Sequence, residues 1–141
     1  MNGITGIAHA AYDVSDMESA LDFYVNKLGF TRAFTMTRAD GTPGTEYLRV
    51  APGQFLELFY GGSGEKGGSY NHLCLRVESC EQTVRALMEK GVTIDVMPKR
   101  GHDGNLQAWI RDPDGNKLEL MQLFPGSPQM KADEAAEPFE K

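Results

Sequence analysis

The sequence predicts an α+β fold made of two β-α-β-β-β modules. Three observations carry that prediction. One pattern of histidine, helix, glycine turn and glutamate occurs twice along the chain. Each copy has a helix start signal and a glycine stop. A Gly-rich joint, GGSGEKGGS at 61–69, separates the copies and is too rich in glycine to form an element.

Module one, residues 4–60, opens with the strand-like run GIAHAAYDV, which contains His9. Ser15 followed by Glu18 fits the S-x-x-E capping box, in which a hydroxyl and a carboxylate satisfy the free N–H groups of the first turn. Met17, Ala20, Leu21, Tyr24 and Leu28 then fall on one face at helical period, and Gly29 supplies the stop. Strands follow over about 30–40, 44–51 and 54–60, broken by ADGTPG and APG.

Module two, residues 70–124, repeats the order. Its first strand, YNHLCLRV, contains His72. Ser79 and Gln82 fit S-x-x-Q; Cys80, Val84, Leu87 and Met88 share a helix face; Gly91 is the stop. Strands are expected at about 93–97, 105–111 and 117–123, broken by KRGHDG and DPDG. The tail, 125–141, is polar and acidic with little to bury, and is expected as a loose or peripherally docked extension.

A chain of 141 residues has room for one compact domain or two small halves. Hydrophobic residues at 40% and charged residues at 24% are ordinary for a globular protein. The net charge of −6, with no basic stripe, argues against a nucleic-acid partner. The start MNGITGIAHA has neither the charge nor the apolar run of a signal peptide. No later stretch is long and apolar enough to span a membrane as a helix. Cys74 and Cys80 are expected as reduced thiols in a cytoplasmic protein.

The strand runs VAPGQFLELFY and RDPDGNKLELMQ each place one carboxylate among apolar residues. Glu57 lies four residues after Gly53, and Glu119 four after Gly115. His9 to Glu57 spans 48 positions, and His72 to Glu119 spans 47. Strand alternation puts Leu56 and Leu58 on a helix-packing face, with Phe55, Glu57 and Phe59 opposite. Leu73, Leu75 and Val77 likewise oppose His72, Cys74 and Arg76, and Leu118 and Leu120 oppose Glu119 and Met121. For His9 the alternation is less decisive, because Ile7 and Ala11 flank it on its own side. A lone strand histidine is usually a satisfied core residue, and a lone strand glutamate usually faces solvent. Two of each at matched spacing form a donor set for a divalent metal, whose charge makes buried carboxylates tolerable.

These residues carry a resemblance. The stretches IAHAAYDVSDMESALDFYVNKLGF, GQFLELFY, NHLCLRV and DPDGNKLELMQ resemble the glyoxalase I (lactoylglutathione lyase) family of the vicinal-oxygen-chelate superfamily, over residues 4–124. The resemblance implies a curved eight-stranded mixed sheet around a metal cavity. His9, Glu57, His72 and Glu119 match the family's metal ligands. It also implies one divalent metal per site, nickel or cobalt ahead of zinc. The implied chemistry is isomerisation of a 2-oxoaldehyde–thiol hemithioacetal to a 2-hydroxyacyl thioester through an enediolate, with glutathione or another low-molecular-weight thiol as co-substrate. Glu119 takes the role of base and Glu57 that of fellow ligand and second proton carrier. Lys99 and Arg100, expected on a loop, lie where relatives hold the thiol's carboxylates. A homodimer is implied, with the site formed within one chain or across two.

Fold alone does not fix function. An epimerase or racemase uses similar chemistry next to a carbonyl. Glu57 argues against the branch with glutamine as second ligand, because Gln54 falls on the opposite strand face. An extradiol dioxygenase needs three protein ligands rather than four. A metal-free binding protein of the bleomycin-resistance type has no need of the set. His102 is expected in a loop, Cys74 as a buried small side chain on the His72 face ahead of a place in the cavity lining, and Trp109 and Met121 in a cavity wall or the core.

Overall fold

The computed structural model describes residues 7–65, 68 and 70–135. The chain falls into two compact units, Met1–Gly67 and Gly68–Lys141. Among the described residues no helix is long and apolar enough to cross a membrane.

The first unit runs β1 (His9–Asp13), α1 (Met17–Leu21), a π-helical segment (Asp22–Lys27), β2 (Thr31–Thr37), β3 (Pro43–Ala51) and β4 (Gln54–Phe59). The second runs β5 (Leu73–Arg76), α2 (Cys80–Glu89), β6 (Val96–Arg100), β7 (Leu106–Arg111), β8 (Lys117–Gln122) and α3 (Pro128–Ala135). The two four-stranded sheets have the same topology, β1-β4-β3-β2 and β5-β8-β7-β6. In each, the first strand pairs parallel with the last and the hairpins are antiparallel. All eight expected strands are present, and each unit is β-α-β-β-β.

Register follows from apolar alternation. Leu56, Leu58, Leu118 and Leu120 are each at most 2% exposed. Burying a leucine contributes about 2 kcal/mol. A one-residue slip in β4 or β8 would expose two of them and drive a carboxylate into their place. The leucines therefore fix the face on which Glu57 and Glu119 emerge. The glycines before them act on the turn: Gly53 and Gly115 have φ of 74° and 80°, which a side chain would resist.

Several expectations shift. The first helix is capped by Asp16 rather than Ser15: the Glu18 N–H donates to Asp16 Oδ1 at 3.1 Å, and the Ser19 hydroxyl to Oδ2 at 2.9 Å. A carboxylate is the stronger acceptor at a helix start. Beyond Leu21 the turn widens, the 3.6-residue spacing no longer holds, and Phe23 joins Met17, Ala20 and Tyr24 in the buried set. Ser79 does cap α2, accepting from the Gln82 N–H at 3.3 Å. Met88, at the edge of the α2 stripe, is exposed.

The strand expected at 93–97 lies at Val96–Arg100 instead. The Val92 N–H is used to close α2, donating to the Leu87 carbonyl at 3.0 Å, so pairing starts later. Lys99 and Arg100 consequently lie on β6, opposite Gln107 and Leu106, and not on a loop. The Pro98 that this strand contains is tolerated because β6 is an edge. Part of the tail, Pro128–Ala135, is helical with no buried residue. Residues 1–6, 66, 67, 69 and 136–141, which include part of the expected joint and tail, lie outside the described residues.

Candidate functional site

Each unit builds a histidine–glutamate pair in the same way. In the first, Glu57 on β4 lies across from Ala11 of parallel β1, two residues beyond His9. In the second, Glu119 on β8 lies across from Cys74 of parallel β5, two residues beyond His72. His9 Nε2 is 3.1 Å from Glu57 Oε2, and His72 Nε2 is 3.1 Å from Glu119 Oε2. The glutamate side chains are only 11% and 8% exposed, whereas the histidines remain open at 40% and 32%. The ambiguity over His9 is resolved: Tyr12 and Val14 are buried on the other face of its strand.

An aromatic ring completes each pair. Tyr47 pairs with Glu57 across β3–β4, and Trp109 with Glu119 across β7–β8. Tyr47 presents an edge-on contact to His9 with centroids 5.8 Å apart, and Trp109 one to His72 at 4.8 Å. Trp109 is expected from sequence only in a wall or the core, and nothing in the local pattern marks Tyr47. The signal was available: each aromatic lies ten residues before its glutamate.

The two carboxylates differ in their neighbours. Tyr47 hydrogen-bonds Glu57, and that bond, with burial and the carboxylate charge, raises the phenol pKa. Beside Glu119 stands Cys74. Burial first, then the Glu119 charge and hydrogen bond, push its thiol up to about 12. A thiol is a weaker donor than a phenol, so the hydrogen bond that Glu119 receives from Cys74 is the weaker of the two.

His72 is oriented from behind. The Tyr70 hydroxyl donates to the Lys117 carbonyl at 2.8 Å and ties down the chain leading into β5. Asn71 Oδ1 contacts His72 Nδ1. An amide oxygen only accepts, so this contact suits the tautomer with its proton on Nδ1, and Nε2 faces the Glu119 carboxylate. A neutral ring would there oppose lone pair to lone pair, which a cation between the two relieves. Two imidazoles and two carboxylates have the chemistry of a divalent-metal donor set. Each unit holds one histidine and one glutamate of this kind. Among the described residues no group of three or more His, Cys, Asp or Glu is spaced to hold a metal ion.

The second pair opens into a cavity of ≈ 530 Å³. His72, Cys74, Arg76, Glu119 and Met121 line its strand side, and α3 contributes further residues. In the first unit, Phe34 stacks on Tyr47 at 4.4 Å with rings 15° apart. Lys99 is exposed. Arg100 donates to the Gly104 carbonyl and sits 4.7 Å over the Phe124 ring, so it closes the β6–β7 turn. His102 is exposed in that turn. Both cysteines are free thiols.

Residues 6–120 match the model of the Glyoxalase/Bleomycin resistance protein/Dioxygenase superfamily. The chain belongs to that superfamily. A lactoylglutathione lyase of Salmonella typhimurium is 26% identical over 124 residues, covering 82% of this chain and 91% of that protein. A probable lactoylglutathione lyase of Synechocystis is 27% identical over 127 residues, covering 82% and 94%. Among solved structures, a superfamily member from Sphaerobacter thermophilus is 30% identical with a TM-score of 0.72, covering 85% of this chain and 98% of that one. TnmS3, an antibiotic binding protein from Streptomyces sp. CB03234, is 28% identical with a TM-score of 0.73, covering 88% and 100%. The superfamily fold thus agrees with the expected α+β class, and these relatives include both a lactoylglutathione lyase and an antibiotic binding protein.

Proposed function

We propose that this chain is a metal-dependent isomerase of the glyoxalase I kind. It converts the hemithioacetal of a 2-oxoaldehyde and a low-molecular-weight thiol, such as glutathione, into a 2-hydroxyacyl thioester. The observation that carries this reading is the duplicated histidine–glutamate pair, set at 3.1 Å in both units. The lactoylglutathione lyases among the relatives support it. His9, Glu57, His72 and Glu119 would hold one divalent metal, nickel or cobalt ahead of zinc, within one chain or across a homodimer. When bound, the metal supplies positive charge that lowers the cost of negative charge on substrate oxygen.

The chain's own task is to move a proton. The reaction takes a proton from the hydroxyl-bearing carbon and returns one to the neighbouring carbon, through an enediolate. Glu119 is the base, the role that the family resemblance gives it, and its thiol neighbour is a weaker hydrogen-bond donor than the phenol beside Glu57. Glu57 serves as second carrier, with the Tyr47 phenol holding it in place.

Two observations favour a second reading. The 28% identity to an antibiotic binding protein, together with the stack of exposed Phe34 on half-buried Tyr47, suits a protein that holds a planar molecule without changing it. An epimerase, acting next to a carbonyl without a thiol, is the third. The experiment is a hemithioacetal assay on metal-loaded protein with methylglyoxal and several thiols, read as thioester absorbance. Thioester formed only with thiol present supports the isomerase. Proton exchange next to a carbonyl in deuterated water, with no thioester, replaces it with the epimerase. Neither activity leaves the binding protein.

A further inference from the structure

The cavity over His72 and Glu119 has a second wall, and it comes from the tail. Gln129, Met130 and Asp133 of α3 line it. Their i, i+1, i+4 spacing places them on one helix face. The chain of α3 has no buried residue, so this face is turned to the cavity without being sunk in a core. Among the described residues, the exposed side chains of Asp133 and of Arg76, on the strand side of the same cavity, have no ion-pair or hydrogen-bond partner. One cavity thus presents an unpaired cation on a strand and an unpaired anion on a helix, in addition to the histidine–glutamate pair.

We propose that α3 is a specificity element, in which Asp133 receives an ammonium group on the tail of the substrate. This rests on the reading of the cavity as the site of a thiol-adduct isomerase. A carboxylate alone would suit Arg76 but would be repelled by Asp133. A tail that ends in a free α-amino acid carries both charges, and its ammonium is the group that Asp133 can hold. Met130 adds an apolar contact for the alkyl portion of the tail, since a flexible thioether side chain adapts to irregular shapes. The substrate class is therefore a thiol adduct with a free amino-acid end, in preference to one whose amine is acylated.

The test uses two unreactive probes, S-methylglutathione and its N-acetyl derivative, which lacks the ammonium. Calorimetric titration of the metal-loaded full chain measures binding without turnover. The wild type is expected to prefer the free-amine probe by roughly tenfold, the scale of one charge-assisted hydrogen bond. Asp133→Asn should abolish the preference by weakening the free-amine probe alone. Glu134→Gln, which changes a neighbouring α3 charge outside the cavity lining, should preserve it. Equal affinity of the wild type for both probes overturns the proposal. So does an Asp133→Asn variant that loses both equally, which is what a purely structural role predicts. Failure of both probes to bind also overturns it, and if thioester still forms with some other thiol, the isomerase reading stands without it.

Discussion

Trp109 pairs across the β7–β8 ladder with Glu119 and turns its ring edge to His72 at 4.8 Å, as Tyr47 does for Glu57 and His9. The chain has a single tryptophan. Its fluorescence is therefore a built-in reporter on the second pair. Titrating nickel or cobalt into apo protein should quench it, saturating at one metal per four-residue site. His72→Ala should abolish or greatly weaken the response, and elemental analysis should show the metal lost. Equal, negligible metal in both proteins would remove the metal site.

The two glutamates should not be equivalent. Glu119→Gln keeps size and removes basicity, and activity should fall by about 10²-fold or more, the scale of losing a positioned base. Metal affinity should fall less than turnover. Tyr47→Phe frees Glu57 of its phenol donor and should alter the pH profile of turnover more than the metal content. Near-normal turnover of Glu119→Gln would transfer the base role to Glu57.

How much of this was legible beforehand depended on whether a residue's position follows from local pattern. Glu57 and Glu119 could be placed because the leucines beside them fix the strand face. The duplicated spacing marked the histidines. Lys99 and Arg100 were misplaced because Val92 and its β-branched neighbours suggest a strand, while the Val92 N–H is needed to close α2. Tyr47 was missed because its partnership with Glu57 is a matter of cross-strand register. That register shows in sequence only once the equal ten-residue spacings are compared. The cavity wall from α3 was invisible for a different reason: a polar helix without a buried face has no apolar period to read.

Glu46 illustrates a further buried group that pattern did not reveal. It is 0% exposed, accepting from Arg32 at 2.7 and 3.1 Å, Thr35 at 2.7 Å and Tyr60 at 2.8 Å. Burial alone would raise its pKa. The hydrogen bonds from Arg32, Thr35 and Tyr60, with the Arg32 charge, outweigh that and hold it below the usual glutamate value. A carboxyl depressed in the folded state adds stability that is present above its unfolded pKa and lost as pH falls through the folded one. Thermal melts of the wild type should therefore lose stability on acidification below the ordinary glutamate range, and Glu46→Gln should lose less over that window. Arg32→Ala leaves the carboxylate short of its charged donor and should cost about 2 kcal/mol at neutral pH. A melt of Arg32→Ala indistinguishable from wild type would show that Thr35 and Tyr60 suffice.

The neighbouring basic residues of β6 should separate by role. Lys99 is exposed, pairs with Gln107 across the ladder, and has no part in closing a turn. Arg100 donates to the Gly104 carbonyl and lies over Phe124, joining the β6–β7 turn to the segment after β8. If the two hold the thiol's carboxylates, Lys99→Ala should raise KM with little change in kcat, as loss of uniform binding does. Arg100→Ala should raise KM and also lower thermal stability by about 1 kcal/mol, from the lost hydrogen bond and cation–π contact. Arg100→Lys keeps the charge but not the planar guanidinium, so it should restore KM more fully than stability. Steady-state kinetics with melts on the same preparations distinguish the outcomes. An Arg100→Ala variant that loses stability at unchanged KM would confine that residue to the turn and leave Lys99 alone with the substrate.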